Sequence, residues 1–322
     1  MFDVITIGAG VRDVFLISKS FQLIRSDAFA SGVGECVSLG DKIEIEEIVH
    51  ATGGGATNAA VTFARLGLST SAICRVGDDA AGREIVADLE REGVDASLVV
   101  HDQKGATGYS TLLTASTGER TALVYRGVAG AFVAKDIPLK ACATRWLYIT
   151  SLGGNVPLVA RLVAYAHECG MHVAWNPGKK EISAGLARMK PLLSNIHAFI
   201  LNREEAEALT GKKTVNDICK ELAVPGNVIT VTDGPKGAYA HRNGVTIFSP
   251  GTGAKARSQT GAGDAFGSGF VASMIRSEHL KNALATGILN AESVIRKVGA
   301  KAGILKRWPT KKQLESMKIT TV

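Results

Sequence analysis

No apolar run in the sequence approaches the ~20 residues that a membrane-spanning helix requires, and the first residues, MFDVITIG, carry an acid and no basic stretch. A secretory leader is therefore not expected. Cysteine is scarce: Cys36, Cys74, Cys142, Cys169 and Cys219 are odd in number, far apart, and form no C-x-x-C pair. Reduced thiols packed as small hydrophobes follow, rather than a disulfide framework. Together these absences lead to the expectation of a soluble cytoplasmic protein. The seven histidines show no H-E-x-x-H or other close ligand pair, His167 and His172 being separated across Gly170, which argues against a protein-held zinc. The phosphate-loop pattern G-x-x-x-x-G-K-[ST] is missing, since Gly211-Lys212-Lys213-Thr214 has the wrong spacing and follows a helical stretch. No basic stripe interleaved with aromatics is present either, so nucleic acid is not an expected partner, and nor is a membrane.

What is present fits a large globular core. At 322 residues and 46% hydrophobic content the chain suffices for one big α/β domain or two ordinary ones. The excess of Lys and Arg (37) over Asp and Glu (30) gives +7, which suits an anionic substrate. The one modest basic cluster, Lys301 to Lys312, reads equally as a solvated tail. Short β-branched runs (DVITIG, SAICRVG, RWLYIT, MHVAW, HAFIL, NVITVT) alternate with helical patterns (NAAVTFARLG, REIVADLEREG, PLVARLVAYAHECG, REEAEALTG). Such alternation means βαβ units and a mostly parallel sheet covered on both faces, with ligands at the carboxyl ends of its strands. Two stretches break the rhythm. Residues 14–50 contain alternating pieces such as ECVSLG and KIEIEEI, and residues 106–126 read as a hairpin turning near Thr117-Gly118. They are expected to form a small β lid, from about 14–50 and 104–130, inserted in a single domain spanning 1–322. No linker or internal repeat divides the chain.

Three glycine stretches are candidate sites. GAGVRD (Gly8 to Asp13) gives only a lone G-x-G, because Asp13 stands where a dinucleotide fingerprint wants a small residue. TGGGATNAAVTFARLG (Thr52 to Gly67) lets the backbone approach a ligand closely, with Asn58 on the first turn of an amphipathic helix. By itself it reads equally as a tight turn and a cap. In TGAGDAFGSGF, Gly261-Ala262-Gly263 leave several N–H groups uncovered at a helix start, an arrangement that holds an anion and would stabilise a transferring phosphoryl group. Asp264 would repel that anion unless it faces an attacking hydroxyl, whose proton it would then accept. As a first-turn acid it also serves simply to favour the helix N-terminus.

The second and third stretches, TGGGATNAAVTFARLG and, some 200 residues later, QTGAGDAFGSGF, resemble the paired signatures of the ribokinase (PfkB) family of carbohydrate and nucleoside kinases. The resemblance covers nearly the whole chain through VGDDAAGREIVADLEREGVD, GERTALVYRG, NREEAEALTG, VTDGPKGAYA and VGAKAGI. It implies a three-layer α/β/α sandwich with a mostly parallel central sheet and a small inserted β-sheet lid. It also implies transfer of the γ-phosphoryl group of ATP to a hydroxyl of a sugar or nucleoside. Asp264 matches the catalytic base, and Gly261, Ala262 and Gly263 the anion hole. Asp13, placed at the carboxyl end of the first strand, matches the acid that accepts hydrogen bonds from the substrate. Gly54, Gly55 and Asn58 match the sugar-facing part of the first signature, and Arg126 would reach the substrate from the lid. Asn202 and Glu205 match N-x-x-E, whose acid organises Mg²⁺ and phosphates chiefly through water, although Asn followed three residues later by Glu is also a capping box. Asn176 matches a phosphate-side position, and Thr232, Gly234 and Gly237 a turn beneath the nucleotide. Mg²⁺ is expected with ATP because it prefers substrate phosphates and retained waters.

The chain departs from the family pattern in places. Ser258-Gln259-Thr260 stands where many relatives carry Asp-Thr-Thr, which leaves activation by K⁺ in doubt. GILNAESVIRKVGA lacks the common adenine-flanking pattern, so no residue is nominated for the base. Gly55 replaces a lysine of some relatives, which favours an unphosphorylated acceptor. The lid's half-exposed sheet offers a surface for a homodimer. The alternatives are a non-catalytic sugar- or nucleotide-sensing relative, which would be recognised by loss of the base, and a nicotinamide-binding Rossmann enzyme resting on GAGVRD alone.

Overall fold

The computed structural model describes residues 1–29, 31–115, 120–139, 142–276 and 279–322. Its centre is a sheet of nine described strands in which Thr70–Ile73, Phe2–Ile7, Thr144–Ile149, His172–Trp175, Ala198–Asn202 and Val228–Thr232 lie side by side and parallel. Ala238–Arg242, Val245–Ser249 and Thr320–Thr321 continue it antiparallel at one edge. The parallel strands are apolar almost throughout because both faces are covered. Side chains alternate across the sheet: Ile5, Ile7, Leu147 and Ile149 enter one core with the helices Val156–Glu168 and Val215–Leu222. Val4, Trp146 and Tyr148 enter the other with Gly55–Arg65, Ala262–Ile275 and Leu280–Ile295. Three layers result.

A separate four-stranded sheet forms the lid, in the order Arg120–Tyr125, Gly108–Ala115, Val11–Ser18, Glu47–Gly53. The hairpin register runs from Arg120 opposite Thr114 to Tyr125 opposite Tyr109, while its turn at Thr117-Gly118 lies outside the described residues. Two expectations change here. Asp13 is not at the end of the first strand, because the chain passes through Gly8-Ala9-Gly10 and becomes extended again, leaving Asp13 inside the lid strand Val11–Ser18. KIEIEEI is mostly irregular, since only Glu47 onward joins the sheet. Charged alternation without a buried face does not hold a strand in register.

Candidate active site

Helix Ala262–Ile275 opens on Gly261, whose φ of +82° lies in the left-handed region. A β-carbon there would also overlap Ala300. Both facts require glycine. The N–H of Gly263 sits on the first turn, where no intrahelical acceptor exists, and a β-carbon on Gly263 would meet nothing within 4 Å. Gly263 lines the crevice. Ala262 contributes less than expected, because its N–H reaches the Gln259 carbonyl at 3.3 Å.

One residue on, Asp264 is half-buried on the same turn. Its Oδ2 accepts from Asn58 Nδ2 at 2.8 Å, which joins the two glycine signatures across 206 positions of sequence. Burial raises the Asp264 carboxyl above the usual carboxylate range, and the bond from Asn58 offsets only part of the rise. Asn58 is itself buried, with its Oδ1 left without a partner. A buried acceptor of this kind is costly unless a ligand hydroxyl or water meets it.

Gly54 caps the helix carrying Asn58 with φ +97°, and a β-carbon on it would overlap the carbonyl of Ala9. Gly55 lines the crevice beside Thr150. Asp13 is 5% exposed. Desolvation lifts its carboxyl to about 6, against the hydroxyl of Ser110, the cations Lys301 and Arg12, and with a small upward push from Asp264. Two carboxylates thus share one desolvated region.

The crevice itself, a cavity of about 330 Å³, is lined by Asp264, Gly261, Gly263, Asn176, Asn202 and Glu205, among others. The Asn202–Glu205 capping box is formed: Asn202 Oδ1 accepts from the Glu205 N–H at 2.9 Å, and Glu205 Oε2 from the Asn202 N–H at 3.0 Å. One carboxylate oxygen of Glu205 remains for a ligand, and burial raises this carboxyl. Asn176, which lines the crevice, donates through Nδ2 to the Ile200 carbonyl at 3.0 Å. Next to the crevice, meeting it at Thr232, Gln259, Ala262 and Gly263, a second cavity of about 270 Å³ runs past Gly234 and Gly237 to Phe266, Ile288 and Ile295. One end is polar and the other apolar, the division expected of a phosphate-bearing ligand with a flat ring. A further cavity of about 340 Å³ at the opposite end of the sheet, between Arg145, Trp146, His172 and His197, has neither a described acid nor a glycine cradle in its lining.

A family model described as pfkB family carbohydrate kinase matches residues 27–307. The chain belongs to that family. Its members transfer a phosphoryl group to an alcohol, and this PfkB-family chain is such a phosphotransferase. It is 27% identical to a protein of Archaeoglobus fulgidus described as an uncharacterized sugar kinase, over 75% of this chain and 97% of that one. Among solved structures it resembles the Methanocaldococcus jannaschii nucleoside kinase (TM-score 0.75, 19% identity, 97% of each chain). It also resembles ribokinase from Cryptococcus neoformans in complex with ADP (TM-score 0.72, 18% identity, 98% of this chain and 99% of that one). These likenesses carry the ribokinase-like fold, with its mostly parallel sheet and small separate sheet.

Of the residues singled out in the sequence, the crevice gathers Asp264, Gly261, Ala262, Gly263, Gly55, Asn176, Asn202, Glu205 and Thr232. Gly234 and Gly237 line the adjoining cavity, and Asn58 is bonded to Asp264. Arg126 is exposed and lines neither cavity. Sequence reasoning passed over Thr150, Ser151 and Ser110. The first two follow the strand Thr144–Ile149 at its carboxyl end, where the rule for open α/β sheets would have flagged them.

Proposed function

We propose that this PfkB-family enzyme transfers the γ-phosphoryl group of ATP to a hydroxyl of an unphosphorylated sugar or nucleoside. The observation that carries the reading is the 2.8 Å bond between Asn58 and Asp264, which sets the acceptor-side signature against the anion-hole helix. Asp13 and the unpartnered Oδ1 of Asn58 accept hydrogen bonds from acceptor hydroxyls, while the glycines at 54 and 55 let the acceptor lie against the backbone. Asp264, whose raised carboxyl favours taking a proton, deprotonates the attacking hydroxyl. The amides of Gly261 and Gly263, with Ala262 in support, receive the charge spreading over the transferring group.

Thr232, Gly234 and Gly237 flank the donor nucleotide, with its base in the apolar cavity. Asn176, Asn202 and Glu205 face the polyphosphate. Mg²⁺ suits this end: one free carboxylate oxygen and neutral oxygens match a small cation that keeps waters and leans on phosphates. It would neutralise the polyphosphate charge. The Ser258-Gln259-Thr260 segment supplies no acid where many relatives carry one, so no activation by K⁺ is proposed. Closure of the lid would exclude water and bring Arg126 toward the acceptor. The exposed Ile48, Leu123, Val124 and Tyr125 on the lid (54–58% exposed) suit pairing with a second copy.

Acceptor-dependent ADP release is the test, with ribose, fructose, 2-keto-3-deoxygluconate, adenosine and other nucleosides as acceptors. At least one is expected to be turned over with Mg·ATP. No turnover with any of them, alongside intact nucleotide binding, would replace this reading with a sensing role.

A further inference from the structure

Behind the acceptor side lies a buried ion pair that the transfer chemistry does not use. Lys301, Asp88 and Thr52 are 7%, 8% and 6% exposed. Lys301 Nζ donates to Thr52 Oγ1 at 2.7 Å and to Asp88 Oδ2 at 3.0 Å, and Thr52 Oγ1 donates to the same carboxylate. Asp88 also pairs with Arg91. Three segments meet at the ammonium: the lid strand Glu47–Gly53, the helix Ala80–Arg91 and the C-terminal segment 299–304. An apolar trio of similar volume would often hold these segments together as well or better. Stability alone therefore gives no reason for a cation here.

Its neighbours do. Thr52 precedes Gly53, against which the Asp13 carboxylate is pressed so closely that a β-carbon on Gly53 would overlap it. In the lid register Asp13 stands opposite Ala51, and Arg12 opposite Thr52. On the other side, Ala300 abuts Gly261, and Gly299 lies beside Ala51. One short segment thus touches both the acceptor-side strand and the anion hole. Arg65 fixes it, donating through Nη1 to the carbonyls of Lys301 and Ile304 at 2.9 and 3.0 Å, while two bonds of 2.7 Å to Glu92 fix Arg65.

Resting on the kinase reading above, we propose that Lys301 is the positioning residue for Asp13, keeping that carboxylate ionised and in register with the anion hole at Gly261. The groups acting on Asp13 are the hydroxyl of Ser110 on the neighbouring lid strand, the cations Arg12 and Lys301, and the like charge of Asp264. Arg12 is committed to Glu84 and to the Ala51 carbonyl. The Lys301–Asp88–Arg91 group carries one net positive charge, and Lys301 is its member that acts on Asp13.

The test compares Lys301→Met with Lys301→Arg, which keeps a cation that stays protonated when buried. Carboxyl ¹³C NMR follows the Asp13 titration, its signal identified by loss in Asp13→Asn. In Lys301→Met the Asp13 midpoint is expected to rise by about one unit or more. The acid limb of kcat/KM for the acceptor moves with it, and KM for ATP stays unchanged. In Lys301→Arg the midpoint stays close to that of the parent. If Lys301→Met does not fold, the double variant with Asp88→Leu removes both charges together and is expected to show a smaller rise in the same direction. A folded variant with no cation at position 301 in which the Asp13 midpoint and the acid limb stay put would overturn the assignment. The titration needs no turnover, so a protein that titrates as stated but phosphorylates nothing would sink the kinase reading and leave Lys301 in its role.

Discussion

Asp264→Asn removes a proton acceptor while changing little else. The two side chains have nearly equal volume, and Asn58 can meet either one, since it presents a donor at 2.8 Å and an acceptor that now has no partner. General-base catalysis contributes ~10²- to 10⁴-fold, so the barrier should rise by about 2.7–5.5 kcal/mol. The loss should fall on kcat, with KM for ATP unchanged, because Asp264 does not touch the base cavity. The structure adds two signatures that a generic loss of folding would not give. The folded state holds the Asp264 proton more tightly than the unfolded state does, so this group withdraws stability as pH rises through its folded pKa. Asn lacks that penalty, so the variant should melt at a higher temperature than the parent at pH 7.5. Removing the Asp264 charge also relieves Asp13, whose acid limb should shift to lower pH in the residual activity. Acceptor-dependent ADP release across pH 5–9, with thermal melts at each end, reads all three. A kcat within about threefold of the parent, where at least ~10²-fold loss is expected of a base, would refute the reasoning.

Asp13→Asn should raise the acceptor KM at least tenfold. The Asp13 carboxyl is lifted from 3.8 to about 6, so its stabilising contribution is present below pH 4 and lost as pH rises through 6. The variant should gain up to about 3 kcal/mol over the parent at pH 7.5 and little at pH 4, measured by urea unfolding; an equal difference at both pH values would contradict the burial argument. Gly261→Ala forces a β-carbon into Ala300 at a left-handed φ, costing about 1–3 kcal/mol of stability for the strain. Because the first-turn amides shift with it, kcat should fall more than KM for either substrate, and unchanged steady-state kinetics would remove these amides from the chemistry. If the lid face pairs with a second copy, Leu123→Glu should halve the mass seen by light scattering, whereas a monomeric parent would dismiss the pairing.

The helix that opens on TGAGD was readable because its signal is local: exposed amides, a dipole and a carboxylate within four residues. The layered fold was readable too, since six apolar runs buried on both faces have no other packing than helices above and below. What the sequence hid was register. GAGVRD reads as a strand followed by a turn, yet the extended chain after Gly10 finds pairing partners on both sides, at Ala51 and Ser110. Asp13 is carried away from the main sheet as a result. Lys301 heads what looked like a solvated basic tail but is buried against an aspartate 213 positions earlier, a contact that no local pattern announces. The side chain of Arg126 depends on where the lid rests, which is a property of the whole sheet rather than of its own neighbours.

Asp13 sits on the lid and Asp264 on the core, and the lid strand leaves Phe2–Ile7, the strand next to one edge of the main sheet, through just Gly8-Ala9-Gly10. If the acceptor clasps Asp13 and the lid closes as proposed, acceptor binding also weights the posture of the lid. Thermodynamic reciprocity then demands the converse: a restraint on the outer face of that sheet alters acceptor affinity by the same factor that the acceptor alters the restraint. Were two lids to clasp each other, occupancy of one crevice would be felt in the other without a single residue passing between them.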